Sequence, residues 1–125
     1  MTTRDKTRFP LAMADVVAAQ LVEALQPACR RIAIGGSVRR RRPDVGDIEL
    51  VLVPMTRPET DLFGNIVKVH DETDRVLRDL FESEILSSRG AWGPWNKYLL
   101  HHSGIPVDIF TATMENWGRD LMIRT

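Results

Sequence analysis

The sequence has 125 residues, of which 43% are hydrophobic and 27% charged, a balance typical of one globular domain and not of a disordered chain. Its 17 Lys and Arg residues offset its 17 Asp and Glu residues, so the formal net charge is zero. No overall field therefore attracts the chain to nucleic acid or to a membrane, and any nucleic-acid contact must come from a local patch.

The cysteine content and the N-terminus bear on the compartment. Cys29 is the only cysteine, which excludes an intramolecular disulfide and a cysteine metal cluster and fits a reducing cytoplasm. The N-terminal MTTRDKTRFP has no apolar core of a signal peptide, and no apolar run approaches membrane-spanning length. We therefore expect a cytoplasmic protein without a membrane partner, in which Cys29 has no catalytic role.

The first half of the chain predicts one helix and two strands. Helical spacing of apolar residues predicts a helix over Leu11–Leu25, which Pro27 ends. RRIAIGGS predicts a short strand stopped by glycines, and Ser37–Arg42 a short helix or an irregular arm. The nearly continuous apolar run in DIELVLVP predicts a strand that is buried on both faces.

The second half predicts two helices and two strands. A loop is expected over Pro54–Asn65, and a helix over Asp71–Phe81, whose apolar residues form one stripe and whose acids suit the helix start. SSRGAWGPW is interpreted as a loop, and NKYLLHHSGIPVDIFTA as two strands joined by a tight Ser-Gly turn. TMENWGRDLMIRT predicts a final helix with Thr113 as its capping residue.

The order of these elements, αβ(α)βαββα, predicts an α+β fold with a small mixed β-sheet and helices packed mainly on one face. We expect a single domain over residues 1–125, with residues 1–9 as a flexible arm.

Two acidic residues lie one residue apart at the start of the second strand. Residues two apart on a strand point the same way, so Asp47 and Glu49 should share a face. Two close carboxylates repel unless they are protonated or bridged by a cation, and Mg²⁺ prefers carboxylates together with substrate phosphates. An isolated pair of this kind is more often a solvated acidic edge, so its neighbours decide the interpretation.

Those neighbours suit a phosphate. Gly35, Gly36 and Ser37 end the preceding strand, where glycines let the backbone approach a ligand and the following amides can hold an anion. Arg40 would offer a planar guanidinium fork. Taken alone, the glycines indicate a tight turn and Arg39–Arg42 a solvated basic loop; the combination beside an acidic pair favours a phosphate and metal site.

A third carboxylate is expected if two metal ions act, because the attacking hydroxyl needs its own metal ion and a proton acceptor. Asp108 is the best candidate, since it lies in the mostly apolar strand IPVDIFTA, where an unpaired acid is costly. The alternative is an acid at a sheet edge.

With these residues in place, GGSVRRRRPDVGDIEL resembles the palm motif of the polymerase X (DNA polymerase beta-like) nucleotidyltransferases. VDIFTATMENWGRDLMIRT is similar to that family's third-aspartate strand and the helix after it, and RFPLAMADVVAAQLVEALQP to the helix that leads into the motif. The resemblance covers most of the chain from Arg8 onward and is weakest between Met55 and Trp95.

The resemblance implies a nucleotidyltransferase palm-like fold and roles for six residues. Asp47 and Glu49 would bind two Mg²⁺ ions, for which Mn²⁺ can substitute, while Asp108 would bind the catalytic ion and help to accept the proton of the primer hydroxyl. Gly36, Ser37 and Arg40 would hold the outer phosphates of a nucleoside triphosphate. The expected reaction is transfer of a nucleoside monophosphate to a hydroxyl, with a nucleic-acid 3′ end as acceptor, and release of pyrophosphate.

The sequence departs from that family's pattern at several points. Glu49 replaces the usual second aspartate, and Pro106 stands where many members have an arginine, which would remove a cation near Asp108. Ile123 and Arg124 replace an aromatic pair that lines the sugar site, and the thumb segment is expected to be absent after residue 125. The alternatives are therefore a non-catalytic or partner-dependent module that binds nucleotide or nucleic acid, and transfer to a small-molecule or protein acceptor.

Other conspicuous residues have simpler interpretations. His101 and His102 are adjacent on a strand and should face opposite sides, which disfavours a shared metal ion. Trp92 and Trp95 would stack on bases or, as we favour, cover the edge of the core. Trp117 is expected in the core, and Lys97 is expected to be solvated rather than bound to a phosphate.

Overall fold

The computed structural model describes residues 7–124, and within them nine strands and four helices follow one another. The helices are α1 (Leu11–Leu25), α2 (Gly36–Arg39), α3 (Glu72–Glu82) and α4 (Trp117–Arg124). The strands are β1 (Phe9–Pro10), β2 (Cys29–Gly35), β3 (Asp44–Val45), β4 (Ile48–Pro54), β5 (Thr56–Thr60), β6 (Ile66–Asp71), β7 (Leu86–Trp92), β8 (Asn96–His101) and β9 (Pro106–Thr111). Of the predicted flexible arm over residues 1–9, residues 1–6 lie outside the described residues, whereas its last residue, Phe9, pairs with Val45.

A mixed five-stranded sheet organises the molecule. Its strand order is β2-β4-β9-β8-β7, in which β4 and β9 run parallel and every other neighbouring pair is antiparallel. Two further ribbons, β1 with β3 and β5 with β6, stand apart from this sheet. The predicted α+β fold with a mixed sheet is confirmed.

The two faces of this sheet carry separate apolar clusters. Leu50 and Leu52 pack with α1 and α3, whereas Val51 and Val53 pack with Trp117 and Leu121 of α4 on the other side. We call the first the helical face and the second the open face. Because all four central residues of β4 are buried, the strand is covered on both faces there, as its apolar run predicts. Three of the four helices contribute to the cluster on the helical face, so the prediction of helices mainly on one face is confirmed.

The two long helices begin and end close to their predicted positions. In α1 the fully buried residues recur at helical spacing, which places them against the sheet. The helix α3 begins at Glu72 because Asp71 caps it: the Asp71 carboxylate accepts a hydrogen bond from the Thr73 backbone N–H at 2.8 Å.

Two segments predicted as loops are strands. Thr56–Thr60 pairs with β6 in a ribbon that is exposed almost throughout, so no burial pattern marks β5 in the sequence. Leu86–Trp92 is an edge strand of the main sheet, with a register shift between Ser88 and Trp92. An edge strand with a bulge and polar residues is hard to distinguish from a loop by composition alone.

The last helix begins later than predicted. The Thr113 hydroxyl accepts a hydrogen bond from the Asn116 N–H at 3.1 Å, but the segment between them is a turn and α4 begins only at Trp117. Trp117 packs against the open-face cluster, as predicted. None of the helices within residues 7–124 is both long and apolar enough to cross a bilayer.

Candidate active site

Three carboxylates lie at one end of the open face. Asp47 directly precedes β4 and Glu49 is its second residue, on the same side as Val51. Asp108 is the register partner of Glu49 on the parallel neighbour β9, and it shares a side with Phe110. Parallel pairing of β4 with β9 therefore brings together Glu49 and Asp108, which are 59 positions apart in the sequence, while α4 covers only the far half of the same face.

The environment of Asp108 shows that the carboxylates interact. Burial raises the pKa of the Asp108 carboxyl above its usual range; the nearby Arg89 guanidinium opposes this shift, and the Asp47 carboxylate adds to it. Only 15% of the Asp108 side chain is exposed. A largely buried acid held near a like charge is destabilising for the fold in its charged form, which is typical of a functional position.

A cation reaches Asp108 from the edge of the sheet. The guanidinium of Arg89, on β7, forms an ion pair with the Asp108 carboxylate, and its Nε donates a hydrogen bond to the Leu99 carbonyl at 3.1 Å. The same guanidinium lies 5.7 Å from the centre of the Tyr98 ring. Pro106 stands where an arginine was expected, and Arg89 supplies a cation to Asp108 from a different strand.

The glycine loop lies on the other side of the carboxylates. Gly36 has a left-handed backbone with φ +62°, and a Cβ at this position would lie 2.8 Å from Glu49 Oε2. Only glycine can therefore follow this path without displacing the carboxylate. Ser37 comes next and is half-buried, and exposed Arg40 closes the turn by donating its backbone N–H to the Gly36 carbonyl at 3.1 Å. The predicted phosphate-binding segment thus begins in contact with Glu49.

The remaining arginines of this segment have different environments. Arg41 has φ +58° and forms an ion pair with Asp15 of α1 at 2.8 Å, which fixes the turn after α2 to the helix. Arg39 and Arg42 are exposed. In this basic segment, Arg41 therefore has a structural role, whereas Arg39 and Arg42 face solvent.

A pocket opens beside the carboxylates, away from the glycine loop. It has a volume of about 550 Å³, and its lining includes Asp47, Arg89, Phe9 and Pro106. The volume lies within the range of roughly 300–1,000 Å³ that is usual for small-molecule sites. The lining combines charged and apolar side chains.

The carboxylates have the chemistry that Mg²⁺ requires, in an incomplete arrangement. Oxygen donors from Asp47, Glu49 and Asp108 suit a hard cation. Within residues 7–124, however, no three acidic, histidine or cysteine side chains converge closely enough to hold an ion by themselves. Protein-bound Mg²⁺ usually takes one or two carboxylate ligands and completes its coordination with substrate phosphates.

The other residues considered from the sequence are also accounted for. Lys97 is 4% exposed, so its predicted solvation is wrong: it lies on the helical face, with its ammonium 5.2 Å from the centre of the Trp92 ring.

Trp92 covers the core edge through Phe81, whereas Trp95 is 57% exposed. His101 is buried and His102 exposed, but their ring centroids lie only 4.3 Å apart, so the prediction that they face opposite sides is wrong: β8 ends at His101 and the chain turns at His102. Cys29 is buried, and burial followed by the Asp71 charge raises the pKa of its thiol to about 12, which makes it unreactive.

Sequence reasoning missed Arg89 as a member of the site. The residue lies in a segment interpreted as a loop, and no spacing relates it to Asp108 in the sequence. Only the pairing of β7, β8 and β9 brings it there.

Comparison with solved structures shows a fold in common with a DNA polymerase. Leishmania infantum polymerase beta in a ternary P/T complex matches with a TM-score of 0.71 at 18% sequence identity, covering 95% of this chain and 48% of the polymerase chain. The same polymerase in a ternary gap complex matches with a TM-score of 0.73 at 18% identity, covering 95% and 42%. The chain thus has a polymerase beta-like fold and spans less than half the length of those polymerases. No family model and no curated protein matches the sequence.

Proposed function

We propose that this chain is a metal-dependent nucleotidyltransferase that transfers a nucleoside monophosphate from a nucleoside triphosphate to a hydroxyl, with a nucleic-acid 3′ end as the acceptor. The observation that carries the proposal is the meeting of Asp47, Glu49 and Asp108 at one end of the open face, with the Gly36 loop against Glu49. The polymerase beta-like fold supports it, since those relatives are polymerases in ternary complexes.

The glycine loop would bind the phosphates of the substrate, and the carboxylates would act at the reacting groups. Gly36, Ser37 and Arg40 would hold the outer phosphates of the triphosphate, while Asp47, Glu49 and Asp108 would hold two Mg²⁺ ions. Bound Mg²⁺ would neutralise phosphate charge and favour ionisation of the attacking hydroxyl. Asp108 would take up the proton of that hydroxyl, a role that suits a carboxyl whose pKa is raised by burial.

The reaction would be an in-line displacement. The hydroxyl oxygen forms a bond to the α-phosphorus, the bond from that phosphorus to the bridging oxygen breaks, and pyrophosphate leaves. This chain would contribute mainly by holding the groups in line and by placing charge, since such a transfer needs little covalent help from the protein.

The test is transfer with a matched pair of variants. With Mg²⁺ or Mn²⁺ present, wild-type protein should extend a primer or label an acceptor, and Asp47→Asn should reduce turnover by about a thousandfold, since a lost metal contact costs several kcal/mol. Asp79→Asn is the control, because this exposed carboxylate lies on α3 away from the site. Turnover in wild type and Asp47→Asn at equal rates would show that the proposal is wrong.

The identity of the acceptor follows from the same assay. Exposed Arg39 and Arg42 beside the site favour a polyanion over a small molecule or a protein. DNA and RNA ends should therefore react in preference to single nucleosides or unmodified protein, and the preference should weaken as salt concentration rises.

A second candidate function is a non-catalytic module that binds nucleotide or a nucleic-acid end. The ion pair between Arg89 and Asp108 favours it, because it occupies one of the three carboxylates. Calorimetry of triphosphate binding with and without Mg²⁺ separates the two functions. Binding that needs no metal and survives in the Asp47→Asn/Glu49→Gln double variant would support the module, whereas metal-dependent binding that the double variant loses would support the enzyme.

A further inference from the structure

A second pocket lies on the open face, next to α4. Its volume is about 330 Å³, and its lining includes Trp95, Asn96, Phe110, Asn116 and the adjacent pair Arg119 and Asp120. It is separate from the pocket beside Asp47, and none of its residues belongs to the proposed metal or phosphate site.

The pocket offers flat aromatic surface and free hydrogen-bonding groups. Trp95 is 57% exposed, so much of its ring is available to a ligand. The side-chain amides of Asn96 and Asn116 make no hydrogen bond to any described residue, and each carries two donors and one acceptor. An exposed indole beside two vacant amides is suited to a planar group that has both donors and acceptors at its edge.

Charge and size narrow the class of ligand. Arg119 and Asp120 form an ion pair with each other at 3.2 Å, so they leave the pocket without net charge and disfavour a phosphate. The volume is near the lower end of the roughly 300–1,000 Å³ found for small-molecule sites, enough for one heteroaromatic ring system and part of a sugar.

The pocket is close to the carboxylates. Asn96 pairs with Phe110 on the neighbouring strand, and Tyr98 pairs with Asp108. The pocket therefore begins two strand positions from Asp108, or about 7 Å along the sheet. A single nucleotide can span this distance with its phosphate toward the carboxylates and its base in the pocket.

We propose that this pocket binds a nucleobase, which stacks on Trp95 and forms hydrogen bonds with Asn96 and Asn116. The proposal rests on the proposed function, because it names the part of the substrate that would lie here. The base belongs to the incoming nucleotide or to the acceptor strand, and both sources present the same planar, hydrogen-bonding chemistry.

The test measures base binding without metal, so that it does not depend on transfer. Adenosine and thymidine are titrated into the protein in the presence of a chelator, and binding is followed by ligand-observed NMR. Trp95→Ala should weaken binding about tenfold or more, since stacking on an aromatic side chain contributes on that order. Asn116→Ala should give a smaller loss, and serves as the second variant if circular dichroism shows that Trp95→Ala is unfolded.

Trp92→Phe is the matched control, because Trp92 is also exposed, at 44%, but contacts Phe81 and does not line the pocket. The proposal requires that this variant bind nucleosides as wild type does. Equal binding by Trp95→Ala and wild type, an equal loss in Trp92→Phe, or no binding of nucleosides to wild type would each overturn it.

Competition then identifies the source of the base. A nucleoside triphosphate that displaces adenosine better than a short single-stranded oligonucleotide does would assign the pocket to the incoming nucleotide; the reverse order would assign it to the acceptor strand. Asp47-dependent turnover with no base binding would overturn this pocket alone. Base binding without Asp47-dependent turnover would overturn the proposed transfer and leave the pocket standing.

Discussion

The helical face and the open face of the sheet are made by the same strands but differ in what covers them. Under α1 and α3 the helical face is apolar along nearly its whole length, with Leu50, Leu52 and Ile109 at most 2% exposed. The open face is divided in two. Helix α4 packs against Val51 and Phe110, whereas Glu49 and Asp108 lie outside this apolar cluster. One face therefore stabilises the fold, and half of the other is left for polar chemistry.

The largest effect on stability should come from the helical face. Leu50 is fully buried there, so Leu50→Ala removes packed methyl groups and leaves a cavity, at a cost of about 3 kcal/mol in the free energy of unfolding. Leu62→Ala is the control, because Leu62 is 99% exposed at the tip of the β5–β6 ribbon and should change stability little. Urea denaturation checks both variants, and equal midpoints would contradict the assignment of the core to this face.

The next effect concerns the glycine loop beside the open face. Gly36→Ala forces a side chain into a left-handed backbone, which costs roughly 1–2 kcal/mol, and it also pushes against Glu49. Gly64→Ala measures the cost of the left-handed backbone alone, since Gly64 has φ +82° and no atom within 4 Å of an added Cβ. We expect Gly36→Ala to lose more stability than Gly64→Ala. Only Gly36→Ala should also weaken triphosphate binding. Equal effects of the two variants on binding would argue against a role for the glycine loop.

The elements that the sequence predicts well are those in which burial imposes a regular pattern of apolar residues. The helix Leu11–Leu25 and the strand DIELVLVP were predictable because one stripe of the first and both sides of the second are buried. Strands β5 and β7 were not, since β5 is exposed on both sides and β7 is an edge strand with a bulge. Their backbones pair without requiring an apolar pattern.

The candidate site was predictable to a similar degree. Asp47 and Glu49 are local in sequence, and Asp108 is conspicuous as an acid in an apolar strand, so all three could be named before the strands were placed. Arg89 and the pocket around Trp95 depend on which strands become neighbours. Lys97 was misjudged because its charged end suggested solvent, whereas its stem is buried and its ammonium lies against the Trp92 ring.

A smaller effect should distinguish the polar end of the open face from the core. Asp47→Asn removes a charge that raises the pKa of Asp108, so we expect a gain of about 0.5 kcal/mol in stability at pH 7 together with the loss of turnover. Because the folded pKa of Asp108 is raised, the carboxyl costs stability as the pH rises through that pKa, and the gain should disappear below pH 3.8, the ordinary value.

The control for this variant is Asp44→Asn, in which an exposed carboxylate loses its ion pair with Arg8 at 2.7 Å. Such pairs contribute little, so this variant should be neutral or slightly less stable at pH 7. If Asp47→Asn lowers the free energy of unfolding as much as Leu50→Ala does, the proposed difference between the two faces is wrong, since Asp47 would then be part of the structural core.

The smallest effect concerns His101, a polar residue buried in the helical face. Its Nε2–H donates to the Gln20 side-chain carbonyl at 2.8 Å, and its Nδ1 accepts from the Ser103 N–H at 3.1 Å, so both nitrogens suit the neutral ring. Burial, and then the His102 charge, lowers the pKa of His101 below its usual 6.5. The unfolded chain therefore binds a proton more readily, and stability should fall as the pH drops below 6.5 toward the lowered pKa.

His101→Gln removes this titration and keeps a side chain that can form hydrogen bonds. Thermal unfolding of wild type and variant between pH 7.5 and pH 5.5 should show a smaller loss of stability on acidification in the variant, whatever their difference at pH 7.5. His102→Gln, at the exposed neighbour, should keep most of the wild-type slope. Parallel pH profiles for wild type and His101→Gln would mean that the buried ring is protonated without cost, and that the helical face tolerates a charge at this end of the sheet much as the open face does.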